Sequence, residues 1–503
     1  MFKEKLKEYI DARVPIIYVN SYDDNAVEES IIEVTGRRKV WEWNQMYGLR
    51  NRKEIQKKGF QEIKEILESD VTIEGFLIDG VREKSFQRKV VILKDATSYL
   101  DNSQVVALLK NACLSIEAGE LDTIFIIISP VLRIPKELEK YITILEEEYL
   151  TEEEIKTEIQ DFIEENATGN IYEKVIDKMA LAFKGLSALE INTILSLAFS
   201  RDGELTEDAM NLIVDQKKQM IQKSGILEMV PVKESLEDIG GLNSLKSWLR
   251  KKSAVLKDIK KAEAFGVELP KGVLIAGVPG CGKSLNAKAS AKLFGFPLLK
   301  LDMGRLMGKY VGESEQNMRQ AIALAEAISP CVLWIDELEK AFAGIGGSGG
   351  GAEVTTRLFG QFLTWMQEKK SAVFVVATAN DIMKLPPELM RKGRFDEIFY
   401  VKMPTKFERE KIFEIHIRKR RPNDVNNVEI KELAEKTDGY SGADIEGVVK
   451  DAIESAFVNG KTGITTTDID EAIQRTHSLQ EIMGDSISKL EKEYQDRKFK
   501  SAS

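Results

Sequence analysis

VLIAGVPGCGKS, residues 273–284, is the stretch around which the rest of the chain can be ordered. A short apolar run, Val273 to Ala276, enters Gly277-Val278-Pro279-Gly280-Cys281-Gly282-Lys283-Ser284, which matches GxxxxGK[ST]. Leu285 then opens the helix-forming LNAKASAKLF. This is the strand–loop–helix setting that a phosphate-binding loop requires. Glycines let the backbone curl so that successive N–H groups point at phosphate oxygens. The N-terminus of the following helix adds its dipole. Lys283 is placed to reach the outer phosphates and Ser284 to ligate Mg²⁺. A chance Gly-rich turn beside a surface lysine is the competing reading, and the length of the pattern in its proper context weighs against it.

Working outward, CVLWIDE (331–337) reads as a buried strand delivering two carboxylates at its C-terminal edge, where α/β sheets bind ligands. Asp336 would hold Mg²⁺ directly or through water. Glu337 would polarise the water that attacks a γ-phosphate, since phosphoryl transfer needs a positioned nucleophile. A third strand, VFVVA (373–377), ends in Thr378-Ala379-Asn380, where an amide could orient that water. PPELMRKGRFDEIFYVKMP (386–404) then carries Arg391 and Arg394, either a solvated basic patch or a pair that stabilises transition-state charge.

Composition sets the class. The chain has 503 residues, 43% hydrophobic and 31% charged, a length that allows about three compact units of ~150 residues. Lys plus Arg total 72 and Asp plus Glu 82, for a net charge of -10. That balance argues against a chain built to coat nucleic acid or an anionic membrane, though not against a local basic groove. Cys113, Cys281 and Cys331 are too dispersed for a disulfide framework or zinc cluster and suit a reducing cytosol. The 2 histidines, His416 and His477, cannot supply an HExxH metalloprotease motif. The charged, amphipathic MFKEKLKEYIDARVP is unlike a signal peptide, and no run of ~18 apolar residues predicts a membrane span. The expectation is a soluble cytoplasmic protein.

Around the three strands, the segments Leu236-Glu237-Asp238-Ile239-Gly240-Gly241-Leu242, REKIFEIHI with His416, and GYSGADIEGVVKDA with Gly442-Ala443-Asp444 complete a dense set. With them, residues 236–477 resemble the AAA clade of the AAA+ ATPases, the group that includes katanin, spastin, NSF and FtsH. The resemblance makes Gly277–Ser284 the Walker A loop, Asp336-Glu337 the Walker B pair and Asn380 the sensor. Arg391 and Arg394 become paired arginine fingers. Asp238, Ile239 and Gly240 border the adenine, His416 lies near adenine and ribose, and Gly442 and Ala443 belong to the second sensor motif of a helical lid. It implies ATP and Mg²⁺ as cofactors. It also implies fingers acting in trans within a ring, usually a hexamer, and a pore loop that grips a protein substrate at Lys309-Tyr310-Val311-Gly312. Tyr310 suits a sequence-tolerant grip, with an ordinary buried tyrosine as the alternative. GIGGSGGGAE (344–353) reads equally as a second pore loop or a flexible connector.

By order and spacing of its segments, the first half reads as a repeat without the chemistry. Ile16-Ile17-Tyr18-Val19 is followed by NSYDDNAVEES, with no glycine or lysine. VVILKDATSYL (90–100) overlays CVLWIDELEKA (331–341), which sets Asp95 at the place of Asp336 and Ala96 at that of Glu337. IFIIIS (124–129) lacks the sensor asparagine, Pro135-Lys136-Glu137-Leu138 mirrors Pro387-Glu388-Leu389, and FKGLSALEINTILSLAFS (183–200) mirrors DGYSGADIEGVVKDAIES (438–455). Any parallel α/β domain spaces strands in a similar way, so this alternative stays open. The fold class expected is α/β: tandem P-loop-type AAA+ modules, each a parallel-sheet core plus helical lid, the first degenerate and the second active. The boundaries are 1–155 and 156–222 for the first core and lid, 223–237 for a linker, 238–405 and 406–480 for the second core and lid, and 481–503 for a charged, frayed tail. An inactive front joined through KSGILE to DIGGL resembles an AAA-domain family encoded in cyanobacteria and algal plastids, with bacterial relatives. The function expected is Mg²⁺-dependent ATP hydrolysis coupled to remodelling or threading of a protein partner. Against it stand a nucleotide-gated scaffold, which would need neither Glu337 nor the arginines, and a nucleic-acid remodeller, which the charge disfavours. Arg418-Lys419-Arg420-Arg421 reads as a solvated face.

Overall fold

The computed structural model describes residues 2–21, 23–45, 48–51, 71–82, 85–130, 132–146, 149–166, 173–202, 209–306, 313–341 and 350–503. The chain forms two compact units, Met1–Ala209 and Met210–Ser503.

The first unit holds β1 (Ile16–Asn20), β2 (Lys39–Asn44), β3 (Gly48–Asn51), β4 (Lys89–Lys94), β5 (Thr123–Ile128) and β6 (Ile142–Glu146). They form one sheet in the order β3-β2-β4-β5-β1-β6, parallel except for the β2/β3 edge pair. The second holds β7 (Leu227–Val230), β8 (Gly272–Gly277), β9 (Leu298–Leu301), β10 (Cys331–Ile335), β11 (Val373–Ala379), β12 (Glu397–Val401) and β13 (Lys500–Ser501). Their order is β13-β12-β8-β11-β10-β9-β7, with β7/β9 antiparallel and the rest parallel. Continuous runs such as IFIII and VLIA are what a parallel sheet covered on both faces demands. In each unit the first core strand lies between the fourth and fifth. Thus β2-β4-β5-β1-β6 and β9-β10-β11-β8-β12 share one parallel topology.

The two faces of each sheet fix the register between the units. Helix Lys283–Phe294 follows β8 and packs on the face made by Val332, Trp334, Phe374 and Val376. Leu333 and Ile335 point to the other face, against helices Glu313–Ala327 and Gly350–Glu368. In the first unit, helix Asp24–Val34 follows β1 and packs on Val90 and Ile92, whereas Val91 and Leu93 take the far face. Side chains alternate along a strand, so Leu93 corresponds to Ile335. The overlay expected from sequence is therefore one residue out. Lys94, not Asp95, stands where Asp336 stands, and Asp95 stands at Glu337. Backbone conformation agrees, because Asp95 and Glu337 both have positive φ, 53° and 51°.

Two further expectations change. The stretch 223–237, expected as a linker, contains β7 and is part of the second unit, because Ile226 and Leu227 are buried in its core. Residues 481–503 are not frayed. Helix Leu479–Asp496 carries Ile487 and Tyr494 into the interior, and Ala502, the residue after β13, is buried too; Tyr494 stacks on Tyr400 with ring centroids 3.9 Å apart. The lid of the second unit is built from helices Lys406–Arg420, Gly442–Val458 and Thr466–Arg475 around Phe413, Ile445, Val448, Val449 and Ile469. Thr405/Glu408 and Ser441/Asp444 capping boxes start the first two.

Candidate functional site

β8 is buried throughout and ends at Gly277, whose φ of 137° lets its backbone approach Val401, where a Cβ would sit 2.1 Å from the carbonyl oxygen. Gly280 also has positive φ and lies under the lid, 2.8 Å by an added Cβ from Ser441 Oγ. The Ala443 N–H donates to Gly280 O at 3.0 Å, fastening lid to loop. The loop then turns into helix Lys283–Phe294. Lys283 is buried, and its ammonium donates to the carbonyls of Gly277 and Val278, each at 2.8 Å. Burial lowers its pKa to about 8.

The ends of β10 and β11 bring the acidic side of the site to this loop. Ser284 Oγ donates to Asp336 Oδ1 at 3.1 Å. Asn380 Nδ2 donates to Glu337 Oε1 at 3.2 Å, and the Asn380 N–H donates to the buried Glu339 at 3.1 Å. Lys340 Nζ lies 2.7 Å from Glu337 Oε2 at the exposed rim. Thr378 joins the two strand ends: its hydroxyl donates to Asp336 Oδ1 at 2.5 Å and accepts the Glu337 N–H at 3.1 Å. Left-handed backbone at a glutamate costs of the order of 1–3 kcal/mol, and this contact helps hold it.

Lys283, Ser284, Asp336, Glu337, Thr378 and Asn380 line one cleft of about 410 Å³. Of the residues expected at a nucleotide site, Asp238, Ile239, Gly240, Pro279, Gly280, Cys281, Gly282, Lys283, Ser284, Leu285, Asp336, Glu337, Asn380, His416, Gly442 and Ala443 all line it. Gly277 and Val278 stand behind, offering carbonyls to Lys283. The Asp238 carboxylate is already engaged by the N–H and hydroxyl of Ser235, which hold its pKa low, so it shapes the turn at the cleft wall. Cys281 is a thiol, its pKa pushed up to about 11 by burial. Arg391 is exposed and neither it nor Arg394 lines the cleft; Arg394 donates to Glu388 O. Lys309, Tyr310, Val311 and Gly312 lie outside the described residues, as does 344–349, whereas 350–353 belong to helix Gly350–Glu368 rather than to a loop.

Sequence reasoning missed Thr378, Arg420 and Glu446. Burial brings the His416 pKa down to about 4, with Glu446 opposing and Arg420 reinforcing the shift. Arg420 Nη1 lies 3.2 Å from His416 Nδ1, and Arg420 Nη2 donates to Glu446 Oε1 at 2.6 Å. A guanidinium only donates, so Nδ1 accepts and the imidazole proton sits on Nε2. Arg418 and Arg421 pair with Glu414 and Asp424, which leaves the basic run a solvated, internally paired face. A hydroxyl and a carboxylate at hydrogen-bond distance are hard oxygen donors of the kind Mg²⁺ takes while keeping most of its waters and substrate phosphates. Ser284 and Asp336 therefore fit that ion. Among the described residues no helix is long and apolar enough to cross a membrane.

Comparison with known proteins gives the family. Residues 273–403 match the family model described as ATPase family associated with various cellular activities (AAA), and residues 427–471 match the AAA+ lid domain. Residues 2–147 and 153–224 match the N-terminal and second domains of SpoVK-like AAA ATPases. The chain belongs to the AAA ATPase family. Across nearly its whole length it is similar to the uncharacterized AAA domain-containing protein ycf46 of Guillardia theta, 39% identical over 97% of this chain and 94% of that protein. The ycf46 protein of Pyropia yezoensis is 35% identical over 94% of each chain. An ATP-dependent zinc metalloprotease FtsH from Thermotoga maritima is 34% identical over 48% of this chain and 40% of its own.

Proposed function

We propose that the chain is a Mg²⁺-dependent ATP hydrolase that works as a homo-oligomeric ring, a hexamer, and uses turnover to remodel or thread a protein partner. The observation that carries the reading is the meeting, in one cleft, of Lys283, the Ser284–Asp336 pair and the Glu337–Asn380 pair. Lys283 would leave the loop carbonyls for the outer phosphates. Ser284 and Asp336 would hold Mg²⁺, which screens phosphate charge when bound. Glu337, aimed by Asn380, would take the proton of the attacking water. His416, neutral and donating through Nε2, would face the nucleoside, and Gly442 and Ala443 would report its occupancy to the lid. Arg391 and Arg394, lying off their own cleft, would complete a neighbour's. Tyr310 and its loop would grip the partner. The first unit is read as a degenerate AAA-like module, supported by its matching strand order and by Lys94 at the place of Asp336. A cytoplasmic setting fits three unpaired cysteines.

The test is ATPase rate per subunit against protein concentration, with Arg391→Ala alongside. Specific activity should climb with concentration, and the variant should lose about 10³-fold or more, the scale of an arginine finger. A flat profile with an unimpaired variant would favour a nucleotide-gated scaffold that recruits partners through its first unit. Nucleotide affinity should also depend on pH in one direction. Lys283 is charged below its free-state pKa of about 8, and bound phosphate favours the charged form. Affinity is then constant below that pH and falls above it, approaching tenfold per unit, with proton uptake visible by calorimetry in buffers of different ionisation enthalpy. Lys283→Ala should abolish the nucleotide-dependent thermal shift; a shift that survives would contradict the loop's role.

A further inference from the structure

We infer that Thr378 is the positioning residue that sets both carboxylates of the site at once, and this rests on the hydrolase reading above. Its hydroxyl has one proton. That proton goes to Asp336 Oδ1, and the Glu337 N–H takes an oxygen lone pair. The result is a directed chain from the Glu337 peptide through Thr378 to Asp336. Ser284 donates to the same Oδ1, so Thr378 keeps that oxygen hydrogen-bonded when Ser284 turns toward a metal.

The anchor is stiff. Thr378 is buried in β11, paired in register with Ile275 of β8, while its neighbour Ala377 pairs with Ile335 of β10. A hydroxyl on a central strand is therefore held by two adjoining strands, and a site placed on such elements is held more closely than one on a loop. The other end of the chain is the left-handed peptide of Glu337, whose conformation aims that side chain at Asn380. Thr378 thus couples the orientation of the metal-binding carboxylate to that of the water-activating one, acting through both rather than on the reacting atoms.

The experiment uses the full chain with Thr378→Val, which keeps the shape and removes the hydroxyl, and Thr378→Ser, which keeps the hydroxyl. Two readouts are taken: affinity for a fluorescent ATP analogue with and without Mg²⁺, and kcat and KM for ATP. In Thr378→Val the affinity in EDTA should match wild type and the Mg²⁺ concentration for half-maximal tightening should rise several-fold. Its kcat should fall by about 10–10²-fold, as expected for a misplacement near 1 Å, with KM little changed. Thr378→Ser should restore both. A Thr378→Val protein with wild-type Mg²⁺ dependence overturns the inference, as does a Thr378→Ser protein as impaired as the valine. Should the valine variant not fold, Thr378→Ala replaces it with the same outcomes. If wild type shows no turnover, the hydrolase reading fails by itself, and the Mg²⁺-binding arm still decides the role of Thr378.

Discussion

Glu337→Gln should leave ATP bound and cut its turnover by about 10²–10⁴-fold, the range that a positioned general base contributes. The substitution preserves size and leaves an oxygen for Asn380 Nδ2, now 3.2 Å away. What it removes is the ability to take a proton. It also removes the ion pair with Lys340, whose side chain is 69% exposed, so little else should change. Affinity for the nucleotide should be retained, because Lys283 and the loop that would hold the phosphates are left in place. Single-turnover phosphate release alongside nucleotide dissociation separates the two effects. Near-normal release from this variant would remove Glu337 from the role of base and shift attention to the buried Glu339 beside it.

The chemistry that could be read from sequence is the part in which function constrains consecutive residues. Gly277 to Ser284 and Asp336-Glu337 sit where their patterns place them because each needs one strand end and one turn. Thr378 escaped notice although it stands two residues from Asn380, the spacing that puts both side chains on one face of a strand. Arg420 follows His416 by four residues on one helix, a neighbour that helical spacing alone supplies, whereas Glu446 is on a different helix and only packing of the lid brings it to them. The tail reads as charged because Ile487, Tyr494 and Ala502 are diluted among lysines and glutamates, yet those few residues bury it. The register slip in the first unit has a different cause. VVIL and CVLW are apolar on both faces, so their composition carries no alternation to say which residue faces which helix. Only the structure, by separating Val91 and Leu93 from Val90 and Ile92, supplies that information.

Lys94→Met should be strongly destabilising to the first unit. Lys94 Nζ is paired with Glu28 Oε1 and lies 3.9 Å from Glu42 Oε1; both glutamates are almost wholly buried. An ammonium thus occupies the position that Asp336 holds in the second unit, with carboxylates arranged about it. Replacing it by an apolar chain of similar length removes the counter-charge from two buried acids. Breaking a buried pair from one side costs about 3–5 kcal/mol, well above the cost of replacing both partners. The Lys94 side chain retains 14% exposure, which puts the expected loss toward the lower end. Chemical denaturation of the full chain should show the earliest transition moved to lower denaturant, while the nucleotide-dependent stabilisation of the second unit persists. Adding Glu28→Gln should recover part of the loss, since one of the stranded charges is then gone. An unchanged first transition in Lys94→Met would mean that the ammonium contributes nothing net, and that Asn44, which donates to Glu42 at 2.8 Å, and the neighbouring groups satisfy these carboxylates without it.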